Sequence, residues 1–182
     1  MAKMEFGELD QYLFGQATHY DIYKKLGAHP VTQNGKSGTY FAVWAPNAED
    51  VSVVGEFNDW DPERHPMKKT GPIGVWETFV AGAKVGDRYK FCIRAMDGRL
   101  LYKADPYASW SEMRPGNASR IADITGFKWG DAAWMKKRKE TDPRRAALSI
   151  YEVHPGSWKK HPASEADPDG FYSYRELAHE LA

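Results

Sequence analysis

The sequence is poor in cysteine and in long apolar runs. Its 182 residues include one cysteine, Cys92, so no disulfide can form within the chain. This usage is typical of proteins from reducing compartments. A membrane-spanning helix would require a run of about 18 apolar residues, which is missing, and residues 1–14 lack the basic start and apolar centre of a secretion signal. The sequence therefore predicts a cytoplasmic protein with no membrane partner.

The chain also lacks net charge. Its 25 lysine and arginine residues balance 25 aspartate and glutamate residues, so there is no long-range attraction to nucleic acid or to acidic membranes. A basic cluster at 136–139 closes a predicted short helix, Asp131–Lys139, where cations interact favourably with the helix dipole. We therefore interpret the cluster as a helix end, and no nucleic-acid partner is predicted.

Metal-ligand spacing is missing as well. The six histidines do not combine with cysteines or carboxylates in the spacing of a zinc site. They are His19, His29, His65, His154, His161 and His179. Neither a metal nor an organic cofactor is predicted.

Aromatic residues, in contrast, are abundant. The chain contains seven tryptophans, ten tyrosines and eight phenylalanines, which is more than a core of this size needs. Exposed rings suit flat apolar ligands such as the faces of sugars. For each individual tryptophan, a place in the core remains the alternative.

Short strand patterns separated by turns fill the middle of the chain. In Asp87–Ala95, the residues Tyr89, Phe91 and Ile93 share one face, and Asp97-Gly98 follows as a hairpin turn. The other predicted strands are Thr39–Ala45, Val51–Glu56, Val75–Val80, Leu100–Lys103 and Ser119–Ile124. This pattern predicts a mainly β fold, an antiparallel immunoglobulin-like β-sandwich of about 90 residues. Short helices are predicted before it at Glu8–Phe14 and Asp21–Leu26.

The C-terminal part has a different pattern. Ala146–Val153 is nearly all apolar, as in a strand buried on both faces, and Ser173 with Glu176 forms a capping box at the start of a helix. A buried strand followed by a helix is typical of the opening of a β/α barrel. The sequence therefore predicts a truncated first β/α unit, with a natural C-terminal helix as the alternative. We expect residues 141–182 to be disordered or to pack on a neighbouring surface.

Several stretches, taken in order, resemble bacterial glycogen branching enzymes. Each motif is modest, but their order and spacing are specific and cover the chain from about Tyr12. The stretches are His19–His29, Tyr40–Ala48, Gly55–Trp60, Lys103–Ala108, Arg114–Ser119, Ser149–His154 and Tyr172–Ala178. The sequence departs from the usual pattern at Asp59, Ser109-Trp110 and Pro155.

The resemblance implies four parts. An N-terminal helical segment, 1–32, precedes a family-48-like carbohydrate-binding β-sandwich, 33–127. A linker with a short helix, 128–145, leads to the first β/α unit of a truncated catalytic barrel, 146–182. The implied partners are an α-glucan, such as glycogen, and the remainder of the barrel.

The resemblance also implies a reaction for the whole enzyme, a retaining transglycosylation. One carboxylate attacks an α-1,4 bond, a second carboxylic acid protonates the leaving oxygen, and an acceptor 6-hydroxyl then takes the chain. The family's catalytic carboxylates lie on later barrel strands, so no residue here is assigned a catalytic role and this chain alone is predicted to be inactive. Glu152 and His154, near the end of the predicted barrel strand, are interpreted as structural or positioning residues.

Four residues are the candidate glucan-binding residues implied by the resemblance. Trp60 and Tyr102 match positions whose rings stack on sugar, and Lys90 and Asn117 match positions that hydrogen-bond hydroxyls. The alternative is that all four serve the sandwich or a domain interface. Trp44 and Trp76 lie within predicted strands and are expected in the core.

Three other functions remain open at this stage. A stand-alone α-glucan-binding module is one, although an orphan apolar strand at its end would be left exposed to water. A different α-glucan enzyme, such as a debranching enzyme or a trehalose-releasing hydrolase, is disfavoured by the stretches His19–His29 and Ser149–His154. The last is a purely structural sandwich without a ligand.

Overall fold

The computed structural model describes residues 4–181, which divide into two compact units. The first unit extends to Phe127 and the second begins at Lys128. All strands within the described residues lie in the first unit, and two of the three α-helices lie in the second.

The first unit begins with a helix and continues as a series of strands. Helix α1 spans Glu8–Gly15, and 3₁₀ turns lie at Ile22–Lys24 and Glu56–Asn58. The strands are β1 (Gly27–Gln33), β2 (Lys36–Trp44), β3 (Ala48–Gly55), β4 (Lys68–Thr70), β5 (Val75–Ala81), β6 (Arg88–Ala95), β7 (Leu100–Lys103) and β8 (Ser119–Arg120).

These strands form two antiparallel sheets. Sheet A has the order β1-β2-β5-β4, and sheet B has the order β3-β6-β7 with β8 also paired to β6. Strand β7 pairs with residues 91–94 of β6, and β8 pairs with residues 88 and 89. Both therefore lie along the same edge of β6, one after the other.

The core lies between the two sheets. Phe41 and Val43 of sheet A pack with Val53, Tyr89 and Phe91 of sheet B. The Phe41 and Tyr89 ring centroids are 5.1 Å apart in an edge-on arrangement, and burying one such side chain contributes about 2 kcal/mol. The predicted β-sandwich is confirmed, as is the predicted alternation of β6, because Tyr89 and Phe91 are fully buried.

The outer face of sheet A is covered by the N-terminal segment, residues 4–26. Phe6 and Leu26 pack on Tyr40, Ala42 and Val75, and these five side chains form a second apolar cluster. The sandwich therefore has a third layer on this side, built from the chain's own N-terminal residues.

Glu77 on β5 fastens this segment to the sheet. Its Oε2 atom accepts hydrogen bonds from the Tyr40 hydroxyl at 2.5 Å and from the Phe6 backbone N–H at 2.8 Å. Its Oε1 atom accepts a bond from the Thr70 hydroxyl at 2.9 Å. Burial, and then the bond to Glu77, raises the pKa of Tyr40, so the phenol remains a neutral donor at physiological pH.

We expect Glu77→Ala to lower the free energy of unfolding by about 2 kcal/mol, because three donors lose a charged acceptor. It should also release the N-terminal segment, so that trypsin cleaves faster after Lys24 or Lys25. Glu49→Ala removes an exposed carboxylate from β3 and should leave both measurements unchanged. Unchanged trypsin resistance in Glu77→Ala would mean that apolar packing alone holds the segment.

Two strands, β1 and β4, were not predicted from the sequence. Strand β1 lies largely within residues 1–32, where short helices were predicted. It was missed because Gly27 and Pro30 interrupt its apolar pattern. Pro30 is tolerated because β1 is an edge strand, where a missing N–H removes no ladder bond. Strand β4 has only three residues and no apolar alternation. The predicted helix Asp21–Leu26 is only the 3₁₀ turn Ile22–Lys24.

The two strand tryptophans differ in burial. Trp76 is 6% exposed and belongs to the core, as predicted. The core prediction for Trp44 is wrong, because this side chain is 53% exposed. Val43 points into the core, so its neighbour on the strand points outward. There the Trp44 ring contacts Phe14 edge-on, with centroids 5.7 Å apart.

The second unit contains helices α2 (Ala132–Glu140) and α3 (Tyr174–Leu181). Both were predicted within one residue at their starts. The predicted capping box of α3 is also confirmed, since the Ser173 N–H donates to the Glu176 carboxylate at 2.8 Å and the Glu176 N–H donates to the Ser173 hydroxyl at 3.3 Å. Among residues 4–181, no helix is long and apolar enough to cross a bilayer.

The predicted strand Ala146–Val153 is not formed in this structure, and that prediction is wrong for the chain as described. Its side chains Leu148 and Ile150 are 77% and 82% exposed. A strand needs a neighbouring strand to satisfy its backbone hydrogen bonds. Within the described second unit, the pairing is limited to one isolated bridge between Lys160 and Phe171.

Candidate functional site

The outer face of sheet B carries a row of polar and aromatic side chains. Because Tyr89 and Phe91 point into the core, Lys90 and Cys92 point to the opposite face of β6. Tyr102 on β7 lies directly opposite Cys92 in the strand register. Lys90 and Tyr102 are therefore diagonal neighbours on one face of the sheet.

Lys90 and Asn117 are in direct contact. The Lys90 ammonium donates a hydrogen bond to the Asn117 Oδ1 atom. An ammonium has three N–H donors and an amide NH₂ has two, so the pair retains unused donors. The arrangement can therefore hydrogen-bond the hydroxyl groups of a ligand.

Tyr102 presents its ring to solvent. Its side chain is 47% exposed, although β7 fixes its backbone. A hydrogen bond with the Cys92 thiol raises the pKa of the Tyr102 phenol, which therefore stays neutral. Cys92 itself is buried beneath this face. Tyr102 offers a neutral, flat surface beside the Lys90–Asn117 pair.

Trp60 projects from the loop that follows β3. Its backbone N–H donates to the Gly55 carbonyl at 3.0 Å, and Gly55 is in register with Tyr89, the neighbour of Lys90. The side chain is 36% exposed. Asp59 and Trp60 both adopt positive φ angles, 57° and 62°, a conformation that costs a non-glycine residue about 1–3 kcal/mol.

Asn58 compensates for this strained turn. Its Oδ1 accepts the Gly55 N–H at 2.8 Å, and its Nδ2 donates to the Val53 carbonyl at 3.0 Å. These backbone partners fix the orientation of the amide. Nδ2 also lies 2.9 Å from His65 Nδ1, so that ring nitrogen must be an unprotonated acceptor. The hydrogen bonds of Asn58 thus stabilise the conformation of the loop that carries Trp60.

The stability of this loop should depend on pH through His65. Burial, with a contribution from the charge of Arg64, lowers the pKa of His65. The folded protein binds a proton there less readily than the unfolded chain, whose histidine pKa is about 6.5. The contribution of His65 to stability is thus complete above about pH 6.5 and is lost as the pH falls through the lower pKa of the folded state.

We therefore expect the urea midpoint to fall between pH 7.5 and pH 5.5. In His65→Gln, which offers a non-titrating acceptor, the fall should be smaller. Burial also lowers the pKa of His29. Because His29 is present in both proteins, its contribution to the pH dependence of stability cancels in the comparison. Equal falls in the two proteins would contradict the assigned role of His65.

The loop that carries Asn117 is closed by Glu112. The Glu112 N–H donates to the Ala118 carbonyl at 2.9 Å, and the Ala118 N–H donates to Glu112 Oε2 at 3.2 Å. The hydrogen bond from Arg88 and that from the Ala118 N–H lower the pKa of Glu112. The carboxylate therefore stays ionised and keeps the loop closed.

The structure thus brings three of the four named residues onto one face. Lys90 and Asn117 are bonded, Tyr102 lies beside them, and Trp60 enters from the loop at the end of β3. Sequence reasoning missed Asn58 and Glu112. The position of Asn58 in a polar turn was a usable signal, but nothing in the sequence pairs Glu112 with its partners.

Glu152 and His154 lie in the second unit and are both exposed. His154 Nδ1 lies 3.1 Å from the Ser157 hydroxyl, a local contact that organises its own turn. Among residues 4–181, no group of three or more histidine, cysteine or acidic side chains is placed to hold a metal ion.

Comparison with known proteins relates this chain to enzymes of α-glucan metabolism. Residues 25–108 match the model of carbohydrate-binding module 48 (isoamylase N-terminal domain). Over 97% of its length the chain is 56% identical to the 1,4-alpha-glucan branching enzyme GlgB of Butyrivibrio fibrisolvens, of which it covers 27%. It is 50% identical to GlgB of Cellvibrio japonicus, over 98% of the chain and 24% of the relative. The chain therefore spans about a quarter of the length of these relatives.

Among solved structures, the pullulanase of Bacillus acidopullulyticus aligns with a TM-score of 0.43 and 25% identity, over 54% of this chain and 12% of that one. The apo pullulanase of Klebsiella pneumoniae aligns with the same score and identity, over 54% of this chain and 11% of that one.

The first unit is a two-sheet antiparallel sandwich, and most of it is similar to carbohydrate-binding module 48. As a whole, the chain is similar to the N-terminal part of 1,4-alpha-glucan branching enzymes.

Proposed function

We propose that the first unit binds an α-glucan chain on the outer face of sheet B. One observation carries this proposal: the outer face of sheet A is covered by the N-terminal segment, whereas the outer face of sheet B exposes Tyr102 beside the Lys90–Asn117 pair. Sugar recognition requires a flat ring together with a few donors and acceptors. This face offers both, and Trp60 adds a second ring from the adjoining loop.

We further propose that the chain is the glucan-positioning region of a 1,4-α-glucan branching enzyme. The whole enzyme would cleave an α-1,4 bond and transfer the released chain to a 6-hydroxyl, with the remainder of a catalytic barrel as the partner of the second unit. Identities of 56% and 50% to branching enzymes support this proposal. A cytoplasmic location is also proposed, and the single buried cysteine, Cys92, suits a reducing compartment.

Affinity electrophoresis with embedded glycogen tests the binding function. We expect glycogen to retard the chain and dextran, whose backbone is α-1,6-linked, to leave its mobility unchanged. Isothermal titration with maltoheptaose then gives the affinity. Equal mobility in both gels, together with no heat of binding, would contradict the proposed glucan binding and leave the sandwich with a structural role. An iodine–amylose assay should show no branching by this chain, and any turnover would contradict the assignment of catalysis to other residues.

A further inference from the structure

Arg88 connects two loops that flank sheet B. It is the first residue of β6 and lies on the same face as Lys90, two residues further along. Its backbone N–H, Nε and Nη2 donate three hydrogen bonds to the Glu56 carboxylate, at 2.8, 2.9 and 2.7 Å. Its Nη1 donates a fourth to Glu112 Oε1 at 2.8 Å. One guanidinium therefore bridges carboxylates from two separate parts of the chain.

Both carboxylates belong to segments that carry proposed glucan-binding side chains. Glu56 opens the 3₁₀ turn that leads directly into Asp59 and Trp60. Glu112 closes the loop that carries Asn117 through its bonds to Ala118. The only side-chain bridge between these two loops that we find in residues 4–181 is Arg88.

We infer that Arg88 is a positioning residue that holds the Trp60 loop and the Asn117 loop in a fixed relation, so that the ring and the amide engage the same glucan chain. The inference rests on the proposed glucan-binding function for its purpose, although the bridge itself is independent of any ligand. Arginine suits this task because its rigid, planar fork can satisfy two carboxylates at once.

The exposure of the bridge supports a geometric role. The Arg88 and Glu56 side chains are 39% and 38% exposed, and ion pairs this accessible contribute little to folding stability. A direct hydrogen bond from Arg88 to the sugar is the competing explanation, because a guanidinium has five N–H donors and three of them are used here. The experiment must separate these two roles.

A ligand-free measurement tests the bridge. In the full chain, Arg88→Gln should shift the backbone amide resonances of Trp60 and Asn117 and lower their order parameters. Arg94→Gln is the matched control, since Arg94 lies on the same face of the same strand and forms an ion pair with Asp50, at 3.9 Å. It should leave both amides unchanged. Unchanged Trp60 and Asn117 amides in Arg88→Gln would overturn the inference whether or not the protein binds glucan.

Titration with maltoheptaose tests what the bridge does. We expect about tenfold weaker binding for Arg88→Gln, an intermediate loss for Arg88→Lys, and no change for Arg94→Gln. In an Asn117→Ala background the loss caused by Arg88→Gln should shrink to about threefold, whereas in a Tyr102→Ala background it should stay about tenfold. The same loss in every background would mean direct sugar contact and would overturn the inference.

Two further outcomes are distinguishable. If the unmodified chain binds no maltoheptaose, the proposed function is wrong. The amide resonances of Trp60 and Asn117 still test whether Arg88 positions the two loops. If Arg88→Gln does not fold, Glu112→Gln removes the charge from one side of the bridge. It should then move the Asn117 amide and leave the Trp60 amide in place, and movement of neither would overturn the inference.

Discussion

Replacing Asp105 with alanine should lower the free energy of unfolding by about 3 kcal/mol in urea denaturation. The Asp105 carboxylate is buried and accepts the Tyr89 hydroxyl at 2.5 Å and the Tyr107 N–H at 2.8 Å. Its own N–H donates to the Ser119 hydroxyl at 2.8 Å. Alanine would leave two inward-facing donors without an acceptor, and each costs about 1–3 kcal/mol. A domain stable by about 5–15 kcal/mol would lose a large share of that margin.

Asp105→Asn is the matched variant. Its amide oxygen can still accept the Tyr107 N–H and its NH₂ can donate to the Tyr89 oxygen, so we expect a loss of only about 1 kcal/mol. Burial raises the pKa of Asp105, and the neutral amide avoids the cost of a buried charge. In the Asp105→Ala background, Tyr89→Phe should be nearly neutral, because the stranded hydroxyl is then gone. Additive losses would show that the two side chains act independently.

Trp60→Ala should weaken the binding of maltoheptaose at least tenfold, about 1.4 kcal/mol at 25 °C. The physical reason is the loss of a flat, partly exposed apolar ring that can stack on the face of a sugar. Trp44→Ala is the control, because Trp44 is also exposed, at 53%, but lies on the sheet A side. Isothermal titration should show an unchanged affinity for Trp44→Ala. Equal affinities for Trp60→Ala and the unmodified chain would remove Trp60 from the site.

The positive φ of Trp60 allows a second comparison at the same position. Trp60→Gly and Trp60→Ala both remove the ring, but glycine adopts a φ of 62° without the steric cost that alanine meets. We expect the glycine variant to be more stable by about 1 kcal/mol and equally poor in binding. Such a result would show that the turn is strained at the residue that presents the ring.

The fold was predictable where burial imposes a period on the sequence. Strands such as β6 alternate between core and surface, so Tyr89, Phe91 and Ile93 identified both the strand and its inner face. Strand β1 was not predictable, since an edge strand tolerates Pro30 and carries less apolar signal. Trp44 points outward because it follows Val43, which points into the core. The composition of the strand does not reveal which of the two faces inward.

The candidate site was predictable only in part. Resemblance supplied Trp60, Tyr102, Lys90 and Asn117, and the structure brings the last three together. The residues that support them are joined by hydrogen bonds between elements distant in the chain, such as Arg88 with Glu112. Periodicity and turn chemistry report local structure, so they carry no information about such pairs.

The layer formed by residues 4–26 has a practical consequence for producing the sandwich as a separate fragment. Sequence similarity draws the family boundary at 25–108, but a fragment cut there would strip the cover from Tyr40, Ala42 and Val75 and would discard Ser119 from beside Asp105. The uncovered apolar patch would promote self-association. The smallest well-behaved fragment is thus set by packing rather than by homology, and it extends beyond the family match at both ends.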